Sequence, residues 1–230
     1  FGPDGGETVI FQGQRNQDFN EAGTLAQWQT TVAAMAIGNS RIAFAISTAF
    51  AGPLVDLANE SGGGFQFTGK TSGGKTSCCI DPAASVWGNP SRFAKRWRTT
   101  VNGLEALCLS RNDSILILDD LGQADARECG QAAYLIANGQ GKIRQRKEGG
   151  NRETTTWRTM LLSSGEVDLG QFMTEGGGTV RGGQSIRLPS IPADAGAGLG
   201  VLENLHGHPD GRHFADALAA ATRQYCGTAG

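Results

Sequence analysis

Gly69-Lys70-Thr71-Ser72-Gly73-Gly74-Lys75-Thr76 is a complete G-x-x-x-x-G-K-[ST] stretch. Its glycines let backbone N–H groups turn inward around phosphate oxygens, because glycine enters positive φ at no steric cost. In such a loop the lysine, Lys75, reaches the β- and γ-phosphates and the hydroxyl, Thr76, ligates Mg²⁺. Gly69, Thr71, Ser72, Gly73, Gly74, Lys75, Thr76 and Ser77 are therefore the expected nucleotide-binding set, with ATP and Mg²⁺ as the expected ligands. A chain with 35 glycines in 230 residues invites chance matches, so the flanks matter. Gly64-Phe65-Gln66-Phe67-Thr68 alternates and predicts a strand running into the loop. Thr76 to Ala84 opens as a helix that Pro82 is expected to end or kink. Strand, loop and helix N-terminus together form an anion site.

Downstream, Ser114-Ile115-Leu116-Ile117-Leu118-Asp119-Asp120 is a continuous apolar run closed by two carboxylates. Such a run suits a strand buried on both faces of a parallel sheet. Asp119 is the expected Mg²⁺ ligand, with Thr76, and Asp120 the residue that orients or deprotonates the attacking water. Most ATPases of this kind carry Glu at the second position, so Asp120 is a departure.

The rest of the chain predicts alternating strands and helices. A short strand is expected at Thr8 to Gln12, a helix from Thr24 to Ile37, and a second from Arg41 capped by Ser40 and broken at Gly52-Pro53. Further helices are expected at Asn102 to Leu109, Asp125 to Ala137 and Arg212 to Tyr225. Thr159 to Ser163 and Ser185 to Leu188 complete the predicted strands, and Gly176 to Gly183 a mobile loop. This pattern argues an α/β fold with a mostly parallel sheet flanked by helices. An N-terminal strand and helical layer occupies residues 1–60, and a P-loop ATPase core occupies 61–230.

Lys142 to Arg158 has hairpin logic: two polar, β-compatible arms about a Gly-rich turn at Gly149-Gly150. Lys142, Arg144, Arg146, Lys147, Arg152 and Arg158 make it a cationic finger on a chain whose net charge is only −2, with the first five the expected nucleic-acid contacts. Trp157 either stacks on a base or anchors the hairpin in the core. Ser164 and Glu166, after the Thr159 strand, are candidate γ-phosphate sensors or water-positioning groups. Arg181 and Arg187 are candidate arginine fingers reaching a neighbouring subunit, with Arg187 preferred.

Cys78, Cys79, Cys108, Cys129 and Cys226 lack metal or disulfide spacing, which points to reduced thiols in a cytoplasm. His206 and His208 lack partner ligands and belong to loop structure. The apolar stretch from Thr31 to Ala58 is interrupted at Asn39-Ser40-Arg41 and Gly52-Pro53, so no membrane span is expected. With Phe1 at its start, the chain reads as a fragment of something longer.

Several stretches occur in one order: Phe50-Ala51-Gly52-Pro53-Leu54, the phosphate loop, Ala84-Ser85-Val86-Trp87-Gly88, Ala137 to Lys142, Ser163-Ser164-Gly165-Glu166 and Glu203-Asn204-Leu205-His206-Gly207. The set resembles the bacterial domain-of-unknown-function family nine-two-seven of phage, plasmid and genomic-island proteins, over essentially the whole chain. The resemblance implies a replicative-type helicase ATPase of the AAA+ or superfamily-three kind, often with a primase-like region in the same protein. It further implies DNA unwinding by a hexameric ring with ATP sites between subunits, acting on single-stranded or forked DNA. On matching positions it carries over Lys75, Thr76, Asp119 and Asp120 as the nucleotide site and Lys142 to Arg158 as the DNA hairpin. The alternatives are a nucleotide-gated switch or helicase loader, and a small-molecule kinase, which the Arg-poor 176–183 loop disfavours.

Overall fold

The computed structural model describes residues 16–142, 154–180 and 182–230. Five strands form one sheet: β1 (Gly63–Thr68), β2 (Lys95–Arg96), β3 (Ser114–Asp119), β4 (Thr159–Gly165) and β5 (Ser190–Pro192). Their spatial order is β2-β3-β4-β1-β5, and every pairing is parallel. Parallel strands need crossovers, and helices supply them on both faces.

The apolar run of β3 shows how the two faces are built. Ile115 and Ile117 point into one core with Phe67, Leu162, the phosphate-loop helix and the early helices that carry Trp28, Val32, Ile42 and Ala45. Leu116 and Leu118 point into the other core, with Trp97, Leu104, Ala133, Ile136 and Leu161. Both sets are buried, which is why β3 reads as a run rather than an alternation. The terminal helix Gly211–Gln224 adds Phe214 and Leu218 to the first core.

Chain entry is fixed by a capping box, in which the Thr24 hydroxyl accepts from Gln27 N–H and the Gln27 side chain accepts from Thr24 N–H. Helical turns run on to Ala36. The next helix, Ser40–Ala51, departs from expectation at its start, since Ser40 is its first residue and Asn39 its cap position, with no side-chain cap bond. Asn39 instead accepts from the N–H groups of Glu203 and Asn204 and donates to Met35 and Asn204 carbonyls. Glu203 accepts from Ser40 N–H, and the His206 ring meets the Ile37 carbonyl at 2.7 Å. The Glu203 to Gly207 motif is thus a clip that holds the junction of the first two helices.

Three further expectations are corrected. Of the two outcomes expected at Pro82, an end is not what forms: wide turns over Thr76–Ile80 precede it, and the chain continues helically through Asp81–Ser85. A locally widened turn accommodates a residue that lacks an N–H. Ser185 to Leu188 is not a strand, because Gly182–Arg187 is helical and the sheet is extended by Ser190–Pro192, beyond Pro189, instead. That helix also takes part of the loop expected at 176–183. The helix expected from Asp125 begins at Cys129 and ends at Asn138, with Gly139 left-handed at φ +66°. Thr8 to Gln12 lies outside the described residues. No helix among the described residues is long and apolar enough to cross a membrane.

Candidate functional site

The loop between β1 and the helix beginning at Thr76 lies at the C-terminal edge of the sheet. Gly74 sits at φ +87°, as a glycine-rich loop predicts, whereas Ser72, a non-glycine residue, also takes positive φ at +63°. A Cβ on Gly74 would stand 2.9 Å from Val201 Cγ2, so space as well as backbone geometry requires glycine there. Lys75 Nζ donates to the carbonyls of Gly69 (2.7 Å) and Lys70 (2.8 Å), curling over the loop.

The strand order places β4 between the loop strand and the acidic strand, so the end of β4 reaches both. The Ser164 hydroxyl donates to Asp119 Oδ1 and accepts from Asp120 N–H at 3.0 Å. The Thr76 hydroxyl donates to Asp119 Oδ2 at 3.1 Å. Three elements far apart in sequence thus converge on one buried carboxylate. Asp120 follows at φ +61°, and its Oδ2 accepts from Gln123 Nε2 at 2.6 Å. Glu166 accepts from the Thr71 hydroxyl, tying the turn after β4 to the loop.

These groups line a cleft of about 390 Å³ formed by Thr71 to Ser77, Asp119, Asp120, Ser164, Gly165 and Glu166. A hydroxyl and a carboxylate are hard oxygen donors of the kind Mg²⁺ takes when phosphates and water complete its shell. The donor set therefore fits that ion at Thr76 and Asp119. No cluster of three or more His, Cys, Asp or Glu suited to a metal occurs among the described residues.

One further residue lines the cleft, and sequence reasoning missed it. Arg96 ends β2, in register with Asp119. A two-residue strand without apolar character gives no periodicity signal, and only the pairing with β3 brings Arg96 to the site.

The remaining expectations fall elsewhere. Arg187 stands over the Tyr134 ring at 4.2 Å and lines an apolar groove beside Gly62 to Phe65, where β1 begins. That is the sheet edge opposite the phosphate loop, so Arg187 does not enter its own chain's cleft. Arg181 lies outside the described residues, as do Arg144, Arg146, Lys147 and Arg152. The hairpin base is described: Gln140 bridges Thr156 in antiparallel fashion, and Gly141 N–H donates to Thr155 at 2.9 Å. Lys142 is exposed, and its N–H donates to Glu105 at 3.2 Å. Trp157 is buried and donates to the Ile136 carbonyl at 3.1 Å, so it anchors the hairpin rather than offering a stacking surface. Because β4 begins at Thr159, the Gln140–Thr156 bridge lies at the sheet edge opposite the cleft.

All five cysteines are unpaired and buried. Burial pushes the Cys78 thiol up to about 12 and Cys79 higher still, so both are packing residues of the phosphate-loop helix.

Together these observations define the class: an α/β protein with a five-stranded, all-parallel sheet and a glycine-rich loop facing an acidic strand end. Within that class the chain belongs to the family described as Domain of unknown function (DUF927), whose model matches residues 1–156. Among solved structures it is similar to one described as "SCCmec type IV Cch - active helicase", with TM-score 0.62 and 21% identity. The match covers 92% of this chain and 37% of that one, so the chain spans well under half the length of that protein. At this identity the likeness is one of fold. No curated protein matches the chain.

Proposed function

We propose that the chain is the ATPase motor of a DNA helicase or translocase, of the AAA+ or superfamily-three kind, from a mobile-element replication protein. The observation that carries the reading is the convergence of Thr76, Asp119 and Ser164 beside a complete phosphate loop. The loop N–H groups and Lys75 hold the triphosphate of ATP. Thr76 and Asp119 hold Mg²⁺, which supplies charge neutralisation on the phosphate oxygens. Asp120 orients the attacking water. The water oxygen bonds to the γ-phosphorus, the bond to the β,γ-bridging oxygen breaks, ADP leaves with the electron pair, and Asp120 takes the water's proton. Ser164 positions Asp119 and Asp120 relative to each other by bonding to both.

The family membership and the helicase-like neighbour support DNA as the track, and the cationic 142–158 hairpin is its contact. A ring of copies, hexameric in this reading, lets Arg187 reach a neighbour's cleft. A primase-like region in the same protein belongs to the same reading.

One observation favours a second reading, a nucleotide-gated switch or loader. Asp120 is shorter than Glu and is held by Gln123, which suits slow turnover. Steady-state ATP hydrolysis with and without single-stranded DNA decides between them, with Lys75→Ala as control. A motor is stimulated by DNA, and the stimulation disappears when the hairpin cations are neutralised. Hydrolysis indifferent to DNA supports the switch. Wild-type turnover in Lys75→Ala sinks both.

A further inference from the structure

We propose that Arg96 is a γ-phosphate ligand acting within its own chain, so that each site carries an arginine independent of any neighbour. The inference rests on reading the cleft as an ATP site. The cleft is lined by three carboxylates, Asp119, Asp120 and Glu166, and by two cations, Lys75 and Arg96. Lys75 Nζ is engaged by the Gly69 and Lys70 carbonyls, and Glu166 by Thr71. Arg96 is exposed, and its side chain makes no hydrogen bond or ion pair among the described residues.

An arginine free in solvent is ordinarily a surface residue. Two features set this one apart. Its backbone is pinned by anchors on both sides: Lys95 Nζ binds Asp18 at 3.0 Å and the Arg92 carbonyl at 2.6 Å, while the Trp97 indole donates to Ser163 Oγ at 2.8 Å. Trp97 N–H also donates to the Asp119 carbonyl at 3.3 Å. The Arg96 backbone is therefore held in register with the acidic strand, although its side chain is free to move. Its position also complements that of Lys75. Lys75 rises from the loop after β1, whereas Arg96 approaches from β2, on the far side of Asp119 in the strand order.

A triphosphate held by the loop with its terminal phosphate toward Asp119 and Asp120 would lie between the two cations. The planar guanidinium can give two parallel N–H bonds to phosphate oxygens, which the lysine ammonium cannot. Negative charge accumulates on the γ-phosphoryl oxygens as the bridging bond breaks, and a preplaced arginine counters it. Arg187, at the opposite sheet edge, cannot do this for its own chain.

The test is binding of ADP and of a non-hydrolysable ATP analogue, both with Mg²⁺, to wild type, Arg96→Ala, Arg96→Lys and Lys75→Ala. Arg96→Ala is expected to lose about 10- to 100-fold in affinity for the analogue, the range for a hydrogen bond to a charged group, with ADP affinity held within about twofold. Arg96→Lys recovers part of the loss, and kcat falls in both variants. Equal losses for ADP and the analogue would mean that Arg96 only shapes the cleft. Unchanged nucleotide affinity with weakened single-stranded DNA binding would make it a DNA contact. Either overturns the proposal. If wild type binds neither nucleotide, or Lys75→Ala binds both normally, the ATP-site reading itself fails, a pattern distinct from any produced by Arg96 alone.

Discussion

The Thr76 hydroxyl lies 3.1 Å from Asp119 Oδ2, joining the first turn after the phosphate loop to the end of β3. The two residues are far apart in sequence and meet only because β1, β4 and β3 lie side by side. Ser164 completes the contact from the strand between them. A hydroxyl and a buried carboxylate already within hydrogen-bond reach of each other are hard oxygen donors, so the pair is where a divalent cation would be held.

Asp119→Asn and Thr76→Ala are expected to remove Mg²⁺-dependent ATP hydrolysis by ~10²-fold or more, the scale of losing a metal's charge stabilisation. Nucleotide binding without metal should persist, because the loop N–H groups and Lys75 remain. Hydrolysis is measured across a Mg²⁺ titration. Turnover in Asp119→Asn that saturates at the wild-type Mg²⁺ concentration would remove Asp119 from the ion.

Arg111 is fully buried, and its guanidinium binds Asp18 at 2.8 Å while stacking over Phe93 at 4.2 Å. Asp18 also binds Lys95. Burial works against the Asp18 carboxylate, but the two cations outweigh it and hold its pKa below the usual value. The stability contributed is thus present above the unfolded pKa and lost as pH falls through the folded one. Asp18→Ala leaves a buried cation unpaired and is expected to destabilise by about 3–5 kcal/mol. Urea unfolding at neutral pH checks this, and a loss under about 1 kcal/mol would show that the aromatic rings suffice to hold Arg111.

Reversing the charge of Arg144 and Lys147 is expected to weaken single-stranded DNA binding and to flatten its dependence on salt, since each phosphate contact releases about 0.7 of a counterion. An unchanged slope of affinity against salt would place the contact elsewhere. ATP affinity without DNA should not change, because the hairpin base and the cleft lie at opposite sheet edges.

How far the chain could be read depended on where each signal resides. The phosphate loop and the β3 run are local patterns, so the loop, both acids and the two-sided burial of Ile115 to Leu118 were legible. Ser164 was legible because it ends a third apolar strand. Arg96 was not, since nothing within Lys95-Arg96-Trp97 marks a strand and its pairing partner is β3. Ser185 to Leu188 read as a strand, yet the helix Gly182–Arg187 covers most of it, and the strand forms at Ser190–Pro192 by pairing with β1. Ser40 looked like a cap because its type suits one, but Asn39 is held by Glu203 and Asn204, which local sequence cannot announce. In each failure a tertiary pairing overrode a local preference.

Asp81 supplies the last prediction. Burial raises its pKa to about 6 from 3.8; Arg223 opposes the shift and the charge of Asp119 adds to it. The unfolded chain releases this proton near the ordinary value, whereas the folded protein keeps it to about pH 6. Between the two the folded state binds more protons, so stability falls as pH rises through that window, and the full cost stands above it. Asp81→Asn removes the charge while keeping a similar shape. At pH 8 the variant is expected to be more stable than wild type by on the order of 1–3 kcal/mol, the scale set by a shift of about two units. The advantage should shrink below pH 6 and vanish only near pH ~3, below the unfolded value, where wild-type Asp81 is neutral in both states. Urea unfolding at pH 8 and pH 4.5 measures the difference. An equal effect at both pH values would mean that packing, rather than the buried charge, separates the two proteins.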